Sequence, residues 1–109
     1  ATGVVSTLAG SPEKPGANDG TGAAARFNKP AAVALDGAGN LFIADTENSM
    51  VRKLVLATGA VTTVVGSPGH TGVVPGPLPS TLGYPRGLAF GPAGDLFILD
   101  EGAVLVAHF

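Results

Sequence analysis

The sequence contains no cysteine, which excludes disulfide bridges and thiolate chemistry and leaves the redox compartment open. Charge is scarce: only 13% of residues are ionised, with six Lys and Arg against eight Asp and Glu. That balance leaves no basic footprint, so nucleic acid is not an expected partner. No apolar run approaches the roughly 20 residues that a bilayer-crossing helix needs, so no membrane span is expected. The N-terminus carries no charged stretch followed by an apolar leader core, and reads as mature or excised material. The two histidines, His70 and His108, stand in unrelated contexts, and neither H-x-H, H-E-x-x-H nor G-x-S-x-G occurs. No catalytic constellation, metal site or cofactor is expected from these residues.

Glycine and proline are plentiful, at 17 and 9 residues, yet 45% apolar content and a net charge of −2 argue against disorder. Short runs of Val, Leu, Ile and Phe between Gly/Pro clusters predict strands joined by turns. The chain also repeats itself. ATGVVSTLAGSP at the N-terminus matches ATGAVTTVVGSP at an offset of 56, and NKPAAVALDGAGNLFIAD matches GYPRGLAFGPAGDLFILD at an offset of 55. Two blocks matched in the same order define a tandem repeat of about 55 residues.

Four strands are predicted in one unit: Ala31–Leu35, short and small for a crowded position; Leu41–Asp45, apolar on both faces; Met50–Leu56; and Ala60–Val65, richer in Thr and nearer solvent. This is an antiparallel meander of the kind that forms a β-propeller blade. P-x-x-V-A-L-D-x-x-G-N-L-F-I-A-D-T-x-N, V-R-K-L, T-G-x-V-T-T-V-x-G and the linker DGTGAAARFNKP resemble the NHL repeat over almost the whole chain. The second unit departs from it: EGAVLVAHF stands where the first reads TENSMVRKLVL, so the Asn and Arg are missing.

The expected fold is therefore all-β, with two blades per chain. Residues 28–66 form the first blade and 83–109 three strands of a second, while residues 1–10 supply an outer strand without a sheet. An unpaired strand and an open apolar edge invite pairing. A head-to-tail contact closes when the rotation divides the circle evenly. The resemblance implies six blades, hence a homotrimer, with dimers and tetramers as runners-up. The inter-subunit strand contact is expected from Val4, Val5, Thr7 and Leu8 on one side and Val104, Leu105 and Val106 on the other. A fragment of a longer chain, or a designed half-unit, is an equally valid origin for such a segment.

Other motifs carry less. Gly20-Thr21-Gly22-Ala23-Ala24-Ala25 has the spacing of a dinucleotide fingerprint but lacks the preceding strand and following helix. A helical turn over AAARF, with Phe27 and, in the second unit, Leu82 filling space between blades, is the expectation instead. Asp45 and Asp100 recur at strand ends, and like Asp36 are expected as turn formers accepting backbone N–H bonds. Lys29 and Arg86 flank the innermost strands, so a ring would gather them at a channel mouth able to attract small anions. The competing expectation leaves them solvated or paired with Glu47 and Glu101 across loops. The long connections Ser11–Lys29 and Ser67–Tyr84 emerge on the same face as those acidic turns and are where binding is expected, with His70 among their residues. Val73, Val74 and Leu78 are expected to pack over the sheet edge, the alternative being an exposed patch that wants a partner.

The expected function is a non-catalytic scaffold that binds protein, peptide or a small ligand on that loop face. The resemblance also implies an alternative, a lyase- or lactonase-like enzyme with a metal on the axis. It further suggests a bacterial extracellular or periplasmic location.

Overall fold

The computed structural model describes residues 3–69 and 72–109. All of its regular strands are antiparallel and form two sheets. The first sheet contains β1 (Gly20–Thr21), β2 (Pro30–Leu35), β3 (Asn40–Asp45), β4 (Met50–Val55) and β5 (Ala60–Gly66). Their spatial order is β1-β5-β4-β3-β2. The second contains β6 (Pro85–Phe90), β7 (Leu96–Asp100) and β8 (Ala103–Ala107), in chain order.

The four predicted strands of the first unit are present to within a residue or so at each end, because their turns are chemically fixed. Asp36 accepts the backbone N–H groups of Ala38 and Asn40 at 2.7 and 3.1 Å, closing the β2–β3 turn. Asn40 adds its side-chain amide at 2.7 Å, and this bond is the main reason the Asp36 carboxyl lies below its ordinary pKa.

Three features differ from the sequence reading. Gly20–Thr21 pairs with β5 as a fifth, outermost strand, with Gly20 opposite Val61. The helical turn occupies Gly22–Ala24 rather than AAARF, since Ala25 is already extended. Residues 4–9 form no ladder with the other described residues, and Val5 is 99% exposed. An outer strand needs a neighbour to hydrogen-bond with, and among the described residues none lies beside 4–9.

The sheets pack face to face through Phe42, Val51 and Val65 of the first and Leu96, Ile98 and Ala107 of the second, with Leu82 wedged between them. Phe90 meets the Phe42 ring edge-on at 4.9 Å, a favourable aromatic geometry. The opposite face of the first sheet carries Ile43, Leu54 and Val61, covered by Ala25, Phe27 and Ala9.

Strict alternation makes the relation between the two units legible. Leu41 and Ile43 correspond to Leu96 and Ile98, while Phe42 and Ala44 correspond to Phe97 and Leu99. The residues that lie on the far face of the first sheet thus make the contact face of the second. Those that make the contact face of the first point away on the second, where Phe97, Leu99, Val104 and Val106 are exposed. The expectation that this strand is buried on both faces holds for Phe42, Ile43 and Ala44 and fails for β7. The reason is geometric: the second sheet has a neighbour on one side only. The same applies to β2, whose Val33 and Leu35 are exposed instead of crowded.

Candidate functional site

The β3–β4 turn and the long connection before β2 meet on one face, as the meander topology requires. Glu47 N–H donates to the Asn28 carbonyl at 3.1 Å, and Asn48 donates its amide to the Gly16 carbonyl at 2.7 Å. Thr46 Oγ1 donates to the Pro85 carbonyl at 2.6 Å, tying this turn to the start of the second sheet.

Beneath that face lies a buried polar centre. Asp45 accepts Asn28 N–H at 2.8 Å, Asn48 Nδ2 at 2.7 Å and an Arg52 guanidinium nitrogen at 2.8 Å. Both Asp45 and Arg52 side chains are fully buried. Arg52 spreads its remaining terminal donors over the Arg26 and Asn18 carbonyls and over Asp19, which also accepts Thr63 Oγ1. Its guanidinium carbon lies 5.0 Å from the Phe27 ring centroid, within cation–π range. Arg52 Nε has no partner among the described residues. A charge buried this deeply persists only when it is paired and hydrogen-bonded, and four bonds to the terminal nitrogens, one of them to the Asp45 carboxylate, supply that here although Nε is left over.

Asp100 is equally buried but held differently. It accepts the N–H groups of Gly83 and Tyr84, both at 3.0 Å, and no arginine. Asp45 and Asp100 accept backbone N–H bonds as expected, but from chain 16 or 17 residues upstream rather than from their own turns. Each aspartate anchors the end of a long connection onto the strand end of its own sheet. Asn48 and Arg52 are the Asn and Arg of the repeat motif that the second unit lacks; their joint role at Asp45, and the parts of Asp19 and Thr63, were not read from the sequence. The signal was available: strand pairing puts Leu105 where Arg52 stands, opposite Ile98 as Arg52 is opposite Ile43.

Lys29 and Arg86 are both exposed at the heads of β2 and β6, which lie against each other. Neither forms an ion pair with Glu47 or Glu101, all four side chains being solvent-exposed. Of the two alternatives, solvated or paired, the side chains are solvated; in water an exposed pair gains too little to order two long side chains. Lys29 and Glu101 adopt positive φ, 53° and 44°. His108 pairs with Asp95 at 2.8 Å on an exposed edge. His70 lies outside the described residues. Among the described residues no three His, Asp or Glu side chains converge as metal ligands.

Two apolar grooves flank this framework. One, of about 490 Å³, lies over the far face of the first sheet between Leu8, Ala9, Val33 and Ile43. The other, of about 530 Å³, runs along β8, with Val104–His108 on one wall and Val73 and Pro75–Leu78 on the other. Val74 and Leu78 are 63% and 43% exposed, so at these two positions the exposed-patch alternative holds rather than packing over the sheet edge.

No family model matches the chain. The sequence is 32% identical over 94 residues to the Arabidopsis thaliana protein Suppressor of Quenching 1, chloroplastic, covering 85% of this chain and 9% of that protein. A solved protein of unknown function from Bacteroides thetaiotaomicron superposes with a TM-score of 0.81 at 29% identity, over 90% of this chain and 25% of that one. An auxiliary nutrient binding protein from Bacteroides ovatus superposes with a TM-score of 0.75 at 24% identity, over 93% and 28% of the two chains. The chain thus spans less than a tenth of the curated relative and about a quarter of each solved structure. These superpositions establish an all-β fold of antiparallel sheets shared with larger proteins.

Proposed function

We propose that the chain is a two-blade segment of an NHL-type β-propeller, a non-catalytic scaffold that assembles into a closed ring and binds protein, peptide or small ligands on its long-loop face. One observation carries this reading. The contact face of the second sheet is the repeat-equivalent of the far face of the first, so the same packing can be applied again without limit or until it closes. The exposed Phe97, Leu99, Val104 and Val106 are the surface that the far face of another first sheet would cover. With the NHL resemblance setting six blades, three chains close the ring and bring three copies of Lys29 and Arg86 to one mouth.

Small-angle X-ray scattering tests the assembly. A closed ring gives one fixed distance distribution at all concentrations above assembly, broader than that of a single body of 40 × 31 × 20 Å. A profile matching the single chain, or one that grows steadily with concentration as an open stack does, contradicts it.

A further inference from the structure

We infer that residues 18–26 form a flap over the outer edge of the first sheet, and that Asp19, gripped by Arg52 and Thr63, is the catch that keeps this edge closed to strand addition. The flap and its catch lie within one chain and do not depend on ring closure.

The strand they cover is adhesive by composition. β5 reads AVTTVVG, an uncharged, proline-free run rich in β-branched residues. Such a strand at the margin of a sheet, with its outer N–H and C=O groups free, recruits any extended segment that reaches it. Here the two long connections cover it from both ends. β1 pairs with Ala60 and Val61, and Gly22 N–H donates to the Gly59 carbonyl at 2.9 Å. At the other end Gly66 N–H donates to the Pro79 carbonyl at 2.7 Å. Between them Asp19 accepts Thr63 Oγ1 at 2.9 Å, which sets a carboxylate beside the middle of the strand. Charge placed on a sheet edge repels further strands.

A ladder of two residues cannot hold a flap by itself, since ordering the backbone costs more than so few bonds return. Arg52 supplies the rest. Arg26 N–H donates to the Asn18 carbonyl at 2.9 Å and closes the flap at its neck. The buried guanidinium bonds both sides of that neck, the Arg26 carbonyl at 2.8 Å and the Asn18 carbonyl at 2.9 Å, and reaches Asp19 at 2.9 Å. Ala25, fully buried with Ile43, Leu54 and Val61, fixes the underside. The two carboxylates on Arg52 differ in one respect: Asp45 is fully buried, whereas the Asp19 side chain is 51% exposed. Asp19 is therefore the end that can let go. Its release frees the flap and leaves the buried charge paired with Asp45.

Asp19→Ala tests the catch in the whole chain. Because Arg52 keeps its buried counter-charge, the fold should be retained, as circular dichroism will show. Loss of a charge-assisted bond at a half-exposed carboxylate is expected to speed amide hydrogen exchange at Gly22 and Val61 by roughly tenfold, with Ile98 of the second sheet unchanged. A labelled peptide of the β5 sequence AVTTVVG, carrying a lysine at each end for solubility, probes the edge by fluorescence anisotropy. It should bind Asp19→Ala and not the parent. Thr21 and Ala60 are directly opposed, and the chain has no cysteine, so Thr21→Cys with Ala60→Cys staples the flap shut on oxidation. Added to Asp19→Ala, the oxidised staple should abolish peptide binding and reduction should restore it. Unchanged exchange in Asp19→Ala overturns the catch. Faster exchange that extends to Ile98 also overturns it, because Asp19 would then support the whole fold. Faster exchange confined to the flap with no peptide bound, or peptide bound equally by the oxidised staple, overturns the guarded edge.

Discussion

Asp45 and Asp100 occupy the same place in two copies of one repeat, and both anchor the chain before their sheet, but only Asp45 carries a buried arginine. Arg52 reaches it at 2.8 Å. In the second unit Leu105 stands in the arginine's place, and the apolar Val73 lines the groove beside it. The anchoring bond is the common element, and the ion pair is an addition that binds the long connection of the first unit more firmly.

Arg52→Leu should therefore destabilise the chain by about 3–5 kcal/mol, because it leaves the Asp45 carboxylate buried without a counter-charge. Adding Asp45→Asn should recover part of that loss, since the neutral amide tolerates the apolar neighbour. Urea midpoints of the two variants and the parent check both statements.

Gly66 is required twice over. Its φ is 83°, and a Cβ there would run into the Ser49 carbonyl oxygen. Gly66→Ala is expected to cost about 3 kcal/mol, combining left-handed strain with overpacking. Gly37→Ala, at φ 78° with open space around it, should cost only about 1 kcal/mol by the same denaturation assay.

Acid should weaken the β2–β3 turn. The folded Asp36 carboxyl has a lowered pKa, chiefly from the Asn40 amide and then the Ala38 N–H. Its contribution is thus fully present above the unfolded carboxylate value and is lost as pH falls through the folded one. Asp36→Asn should flatten the melting temperature against pH between about 5 and 2, with no change near neutrality beyond the lost charge-assisted bonds. An unchanged slope contradicts the assignment.

Contact and outer faces of β7 should respond oppositely. Ile98→Ala, at a residue 1% exposed, is expected to cost about 2–5 kcal/mol of chain stability. Phe97→Glu and Val5→Asp, both at exposed positions, should leave the isolated chain folded by circular dichroism but lower its solution mass. Lower mass without unfolding is the signature of a lost contact between copies.

Much of this architecture is legible in the residues. The repeat, the strands and the aspartate anchors follow from patterns that local chemistry enforces: alternation, turn glycines and carboxylates at strand ends. Exposure of Phe97, Leu99, Val33 and Leu35 was not legible, because burial of a sheet face depends on how many sheets stand beside it. The β1 strand was missed because two residues, one of them glycine, carry no strand propensity of their own; only the neighbouring β5 makes them a strand. Lys29 and Glu47 stay apart because sequence proximity in a turn does not outweigh the entropy of two long side chains in water.

Whether copies of this chain complete one another is the central point, and multi-angle light scattering across a range of concentrations tests it directly. The account predicts a plateau at three times the 10.7 kDa chain mass, with dissociation only on dilution. A mass of one chain at every concentration would contradict it.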